Sequence, residues 1–392
     1  MALELATEQL LSGGEAVAHA MRQIDPEVVP VYPITPQTPI IQAFAQFVAD
    51  GQATGELIDV ESEHSAMSAA IGAALAGART MTATASQGLA LMAEVVYIAA
   101  GARAPVVMAV GNRALSAPIN IHGDHSDSML VRDSGALQLF AENAQEAYDL
   151  TVLAPRLAEH PAVLLPVLVC LDGFTITHSA EPVALLPDQV VRDFVGEYRI
   201  PHPLLKVAEP TTQGPFAMPD YFFEIKRSQV AAIDAALDIL PVLAQELERL
   251  TGRRLAAMES YRLEDSELAL VCMGSTAGTA KDVVDELREE GQAVGLVKLT
   301  AFRPFPSGPL REALAGRRAA GVLDRSVSPG GHPALYAEVA AALGGAVPRL
   351  VSLVAGLGGR DIQPETLREG FRSLTADGVS GDTRYLGLRA GG

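Results

Sequence analysis

The chain has 392 residues, of which 49% are hydrophobic, with few aromatics, no tryptophan and a formal net charge of −18. That length supports two or three domains with substantial cores, while the charge, unrelieved by any Lys/Arg-rich tract, excludes nucleic acid and anionic membrane as partners. Glu4 and Glu8 precede any apolar run and no apolar stretch is long enough to span a bilayer, so a cytoplasmic protein is expected.

In chain order, GGEAVAHAMRQI (13–24) places Ala16, Ala20 and Ile24 at four-residue steps and predicts an amphipathic helix. A strand at 28–32 then breaks into Tyr32-Pro33-Ile34-Thr35-Pro36-Gln37-Thr38-Pro39, where each proline fixes its own φ and extends its predecessor. A helix over 38–50 stops at Asp50-Gly51, and the strand 57–60 leads to Glu61-Ser62-Glu63-His64. From Ser62 the pattern is helical and rich in Ala, Gly and Ser, small residues that let a neighbouring backbone approach closely. Glu63 falls in its first turn, where the helix dipole favours a negative charge. Strand 79–84 gives way to Ser86-Gln87-Gly88 and a helix, and strand 105–110 ends at Gly111-Asn112-Arg113 before a polar segment reaching about Arg132. A helix at 144–159 and a strand at 162–173 complete a mostly parallel, doubly wound α/β unit. Its polar residues gather where strands end, the rim at which open parallel sheets bind ligands.

Residues 174–263 are broken by seven prolines and then carry a mixed-charge helix over 221–252, the composition of a connecting arm that packs on something. From Leu268 a second α/β unit begins, with strands LALVCMG, AVGLVKL and AAGVLDR. The expected domains are 1–190, an arm over 191–263, and 264–392. Cys170 and Cys272 lie far apart in apolar runs and read as buried thiols. Two cysteines cannot supply the four thiolates of an iron–sulfur cluster.

Several side chains carry candidate chemistry. Arg113 offers a planar fork for a carboxylate or phosphate, or is a solvated surface arginine. Glu63 is either a functional carboxylate or a helix cap. The loop Asn120-Ile121-His122-Gly123-Asp124-His125-Ser126-Asp127 holds two His and two Asp, but without helical i, i+4 spacing; metal ligands, a structured polar loop and an organic-ligand wall all remain open readings. Gly274-Ser275-Thr276-Ala277-Gly278 looks like a phosphate-binding turn yet lacks the P-loop lysine, and reads as a strand-to-helix turn.

The segments YPITPQTP (32–39), VESEHSAMSAAIGAALAGARTMTATASQGLALM (60–92), NRALSAPINIHGDHSD (112–127) and FTITHSAEPV (174–183) resemble α subunits of the 2-oxoacid:ferredoxin oxidoreductase family, in its pyruvate branch. The resemblance continues into the second α/β unit and covers nearly the whole chain. It implies a pyrimidine-type thiamine diphosphate-binding domain followed by a domain like the C-terminal one of transketolase. It also implies oxidative decarboxylation of pyruvate with coenzyme A to acetyl-CoA, reducing ferredoxin, or the reverse; branched-chain and other 2-oxoacids are the alternative substrates, and a non-catalytic assembly subunit the alternative role. By the resemblance, Glu63 hydrogen-bonds the cofactor aminopyrimidine and shares a proton with it, which promotes loss of the thiazolium C2 proton. Pro33, Ile34, Ser86 and Gln87 line the same cofactor. Thr35 and Arg113 grip the substrate carbonyl and carboxylate, and Asn120, His122 and Asp124 wall the entrance, so that the loop holds no metal. The family's Gly-Asp-Gly motif, which holds the diphosphate through Mg²⁺, does not occur in this sequence, nor does a ferredoxin CxxC pattern. The resemblance therefore implies a β subunit for the diphosphate and Mg²⁺, and γ and δ parts for [4Fe-4S] clusters.

Overall fold

In the computed structural model, residues 7–376 and 382–389 are described; Glu4 and the final residues of the expected 264–392 unit lie outside that range. Strand β1 (Thr7–Ser12) enters α1 (Gly13–Ile24) through a capping box, in which Ser12 Oγ accepts from the Glu15 N–H and Glu15 accepts from the Ser12 N–H. Then β2 (Val28–Val31), α2 (Thr38–Ala49), β3 (Glu56–Asp59), α3 (Glu63–Ala76), β4 (Thr80–Thr84), α4 (Ser86–Ala102) and β5 (Val106–Asn112) alternate as the periodicity predicts. After the polar loop come α5 (Ser126–Leu130), β6 (Leu137–Phe140), α6 (Ala144–Ala158), β7 (Val167–Asp172), β8 (Ala180–Leu185), α7 (Asp188–Val195) and the long α8 (Pro219–Thr251). The strand expected from 162 starts only after Pro166, which has no N–H to give a ladder.

The C-terminal part comprises β9 (Met258–Tyr261), β10 (Leu268–Met273), α9 (Thr276–Glu289), β11 (Val294–Leu299), β12 (Ala301–Arg303), α10 (Ser307–Leu314), β13 (Ala319–Asp324), α11 (Ala334–Leu343), β14 (Leu350–Val354), α12 (Pro364–Ser373) and β15 (Thr383–Tyr385). Its six-stranded sheet has the order β15-β14-β13-β10-β11-β9, parallel except for β9. The first sheet has seven strands in the order β12-β6-β7-β5-β4-β2-β3. Its edge strand β12 comes from the C-terminal part and runs antiparallel to β6; the other pairs are parallel. β1 and β8, remote in sequence, form a separate antiparallel pair.

The strands β4, β5 and β7 are buried along their whole length, which explains the apolar runs of β5 and β7, while β4 buries three threonines. On one face of the first sheet, α1, α2, α6 and the second half of α8 close a core around Met21, Phe44, Tyr148 and Leu240. On the other, Ala66, Ala70 and Ala74 of α3 meet Met92, Val96 and Ala99 of α4. The same apolar cluster continues into Val271, Phe302 and Leu335, so both parts share one core. Within the described residues no helix is long and apolar enough to cross a membrane.

Candidate active site

Four strand ends converge on one rim: β2 delivers Thr35, β4 Ser86, β5 Arg113 and β7 Asp172, while Glu63 opens α3 just beyond β3. The chain leaves β3 and returns to β4 on the other side of β2, and the crevice at such a reversal is where open sheets bind ligands. Pro36 lies against bare backbone at two of these ends. A Cβ on Gly173 would sit 2.9 Å from Pro36 Cγ, and one on Gly111 would sit 3.3 Å from the Gln37 nitrogen. The proline turn is thus clamped onto β5 and β7, with the Gln37 amide donating to the Tyr32 carbonyl at 3.1 Å.

Arg113 is 7% exposed, and its guanidinium is held by carbonyls: Nε donates to Asn120 O at 2.8 Å and Nη1 to Thr35 O at 3.0 Å. Neither partner cancels the charge. Among the described residues no carboxylate pairs with this guanidinium and Nη2 has no hydrogen-bond partner. Burial lowers its pKa, partly offset by the charge of Asp127. The Thr35 hydroxyl likewise has no partner among the described residues, whereas its carbonyl fixes the arginine.

Glu63 is 7% exposed and follows the N-cap Ser62, whose hydroxyl accepts from the Ser65 N–H. Its carboxylate makes no hydrogen bond or ion pair among the described residues. It faces Gly88, where a Cβ would lie 2.7 Å from Glu63 Oε1 and 2.5 Å from Thr84 Oγ1. That Thr84 hydroxyl is itself buried without a partner. A buried carboxylate and an orphaned hydroxyl around a bare glycine form a cradle for a polar, flat group that this chain does not supply. The donor set fits the aminopyrimidine of thiamine diphosphate.

The other expected residues divide between the wall of the site and its support. Ser86 donates its N–H to Asp127, and its hydroxyl lies 2.7 Å from both Ala114 O and the Gln87 side chain, so both its groups are committed internally. Pro33 is exposed and Ile34 half-buried on the outer rim of the turn. Asn120 donates to Gly358 O at 2.9 Å and accepts from the His122 N–H at 2.7 Å. His122 is exposed, its ring 5.0 Å from that of Phe174. Asp124 accepts from Ser126 at one oxygen and from the Gly358 N–H at the other, which fastens the loop to the C-terminal part. The side chains of the His/Asp loop therefore diverge; among the described residues no cluster of three or more His, Cys, Asp or Glu is placed to hold a metal.

Two residues play supporting roles that the sequence did not signal, although one of them, Asp127, belongs to the His/Asp loop. Asp127, fully buried, accepts four hydrogen bonds: from Asn112 Nδ2 and the Ser128 N–H at Oδ1, and from the Ser86 and Arg113 N–H groups at Oδ2. Burial still pushes its pKa up to about 6. It ties the end of β5 to the start of α4, through donors 41 and 14 residues away. Asp172, also buried, joins His125 Nε2 at 2.7 Å, Arg325 Nη1 at 2.6 Å and the Ser275 N–H at 2.8 Å. Burial alone would raise the Asp172 carboxyl, but Arg325 and His125 together hold it well below the usual range. This network bonds the two parts of the chain directly behind the site.

Comparison with known proteins accords with this geometry. Residues 19–241 match the family described as pyruvate flavodoxin/ferredoxin oxidoreductase, thiamine diP-binding, and residues 266–367 match pyruvate:ferredoxin oxidoreductase core domain II. The chain is 56% identical over 382 residues to pyruvate synthase subunit PorA of Thermotoga maritima, covering 97% of each chain. Its fold matches a 2-oxoglutarate:ferredoxin oxidoreductase from Magnetococcus marinus with a TM-score of 0.74 at 19% identity, spanning 93% of this chain and 65% of that one. It also matches a split-gene transketolase with a TM-score of 0.57 at 15% identity, over 93% and 98% of the two chains. Those two likenesses speak for the fold alone. The chain belongs to the pyruvate:ferredoxin oxidoreductase family and carries that family's thiamine diphosphate-binding domain.

Proposed function

We propose that the chain is the α subunit of a pyruvate synthase, which oxidatively decarboxylates pyruvate with coenzyme A to acetyl-CoA and carbon dioxide while reducing ferredoxin, or runs the reverse reaction. The observation that carries this reading is the partnerless, buried Glu63 carboxylate beside Gly88 and the orphaned Thr84 hydroxyl. Placed at the start of α3, it shares a proton with the aminopyrimidine ring. Thiamine diphosphate, when bound, supplies the carbon nucleophile for the 2-oxoacid carbonyl. Arg113 offers its uncommitted Nη2 to the substrate carboxylate, and Thr35 its free hydroxyl to the carbonyl. Because the arginine is held by carbonyls alone, it orients the anion without a competing carboxylate.

A β subunit carrying the Gly-Asp-Gly motif holds most of the diphosphate and its Mg²⁺, and γ and δ parts carry the [4Fe-4S] clusters that lead electrons to ferredoxin. Asn120, His122 and Asp124 wall the entrance, with Asp124 acting through the loop it fastens. The assembly is cytoplasmic. The test is reconstitution with the co-purifying subunits and assay of 2-oxoacids with coenzyme A and a low-potential acceptor. Glu63→Gln should assemble normally and lose at least about a hundredfold in turnover, in the range general acid–base groups contribute. Near-normal turnover of this variant would overturn the assignment.

A further inference from the structure

The start of α4 is held in a conformation that its own residues do not favour. Ser86, the first residue of that helix, has φ +46°, in the left-handed region that an L-residue enters only at a cost. The N-cap residue, Ala85, has no side-chain oxygen to offer the first turn. Instead the carboxylate of Asp127 reaches in from α5 and accepts the Ser86 N–H at 2.9 Å. The turn that Ser86 sets places Gly88, two residues on, opposite Glu63. The same oxygen, Oδ2, accepts the Arg113 N–H at 2.9 Å. One atom therefore fixes both the backbone that carries Arg113 and the backbone that carries the bare corner beside Glu63. Its companion Oδ1 is held by Asn112 Nδ2 at 2.9 Å and the Ser128 N–H at 2.7 Å, which sets the plane of the carboxylate. Asp127 is fully buried, so it acts on the site only through the residues it holds.

We propose that Asp127 is the positioning residue that couples the grip on the cofactor to the grip on the substrate. A shift of Oδ2 releases the Ser86 turn and carries Gly88 away from Glu63. The same shift frees the end of β5, so that Arg113 leaves the Thr35 and Asn120 carbonyls that aim it. Substitution of Arg113 disturbs the substrate side alone and substitution of Gly88 the cofactor side alone, whereas Asp127 governs both. Asp127→Asn keeps the volume of the side chain but turns one acceptor into a donor. Whichever way the new amide lies, its nitrogen meets two donors: the Ser86 and Arg113 N–H groups on one side, or Asn112 Nδ2 and the Ser128 N–H on the other. The inference rests on the function proposed above.

The experiment compares the parent chain with Asp127→Asn, each reconstituted with the co-purifying subunits. It measures thiamine diphosphate affinity by calorimetric titration, KM and kcat for pyruvate at saturating cofactor, and thermal unfolding. Both the cofactor Kd and KM should rise by roughly tenfold or more, the scale of one lost hydrogen bond to a charged group. A merely structural role would lower Tm and the active fraction, and hence kcat, while leaving Kd and KM at their parent values. Should Asp127→Asn fail to fold, Asn112→Ala removes one donor at Oδ1, keeps both backbone bonds at Oδ2, and should raise both constants by a smaller, severalfold amount. Parent-like Kd and KM in whichever variant folds, or a rise in only one of them, would overturn the inference. If the parent complex itself neither binds thiamine diphosphate nor turns over pyruvate, the functional proposal fails first and this inference falls with it.

Discussion

Replacing Gly88 by alanine separates the position of Glu63 from its chemistry. The new Cβ would meet Thr84 Oγ1 at 2.5 Å, Glu63 Oε1 at 2.7 Å and Glu63 Cγ at 2.9 Å, all closer than a real Cβ tolerates. None of these is a backbone atom, so side-chain rotation can relieve the clash. Overpacking of this kind costs about 1–3 kcal/mol, and alanine recovers about 1 kcal/mol of helix propensity inside α4. The net loss of stability is then about 0–2 kcal/mol, a shift of a few degrees in Tm for a chain of this size. The groups that must rotate away are those assigned to the cofactor. Thiamine diphosphate binding by the reconstituted complex should therefore weaken by roughly ten- to a hundredfold, as a misplaced charged hydrogen bond predicts. The assay is fluorescence or calorimetric titration of the apo-complex with the cofactor, alongside thermal unfolding. Parent-like affinity with a parent-like Tm would refute the claim that Glu63 must occupy this corner, and a collapse of the fold would refute the claim that the strain can be relieved locally.

Arg113→Ala should raise KM for the 2-oxoacid and lower kcat/KM by roughly thirtyfold, about 2 kcal/mol, the worth of one charged contact; an unchanged KM would detach this arginine from the substrate. Gly359 has φ +76°, and a Cβ there would lie 2.3 Å from His122 Cβ. Gly359→Ala should undock the loop, raising KM severalfold and exposing residues 114–123 to limited proteolysis, and parent-like digestion would contradict the docking. Asp324 accepts from the Leu335 and Tyr336 N–H groups at the start of α11, yet burial pushes its pKa up to about 7. Between its ordinary value and about 7 the folded chain holds a proton that the unfolded chain has released. This group's contribution to stability is thus greatest at low pH and declines as pH rises through that window, by up to roughly 4 kcal/mol. Urea unfolding at several pH values should show a shallower decline in Asp324→Asn, which loses one of the two bonds but cannot ionise; an identical slope would remove Asp324 as its source.

The local grammar of the chain was readable wherever a feature is satisfied by its own neighbours. Ser62 before Glu63, the prolines around Thr35 and the all-apolar strands announce themselves, because caps, fixed φ angles and double-sided burial leave periodic traces. Glu63, Thr35 and Arg113 could be singled out from strand ends and family resemblance together. Asp127 could be read only as one more member of the His/Asp loop, and its supporting role could not, since three of its four donors, on Ser86, Asn112 and Arg113, are brought to it by the fold. Gly88 reads as one more small residue until Glu63 stands opposite it. β1 and β8 pair across most of the first part, and β6 is a four-residue strand between a turn and a helix. Such elements exist by virtue of their partners, and their partners are not nearby in the sequence.

The three-residue strand β12 has a consequence out of proportion to its length. The first sheet ends in a strand lent by the C-terminal part, and β6 would otherwise present open N–H and C=O groups to solvent. A truncation between the two family matches, after residue 263, would leave that margin bare along with the shared apolar cluster. The sequence invites such a cut, and the polypeptide does not permit it. The two parts are better regarded as one cooperative body stitched at the margin of a sheet than as beads on an arm, so fragments made by cutting there should self-associate rather than fold singly.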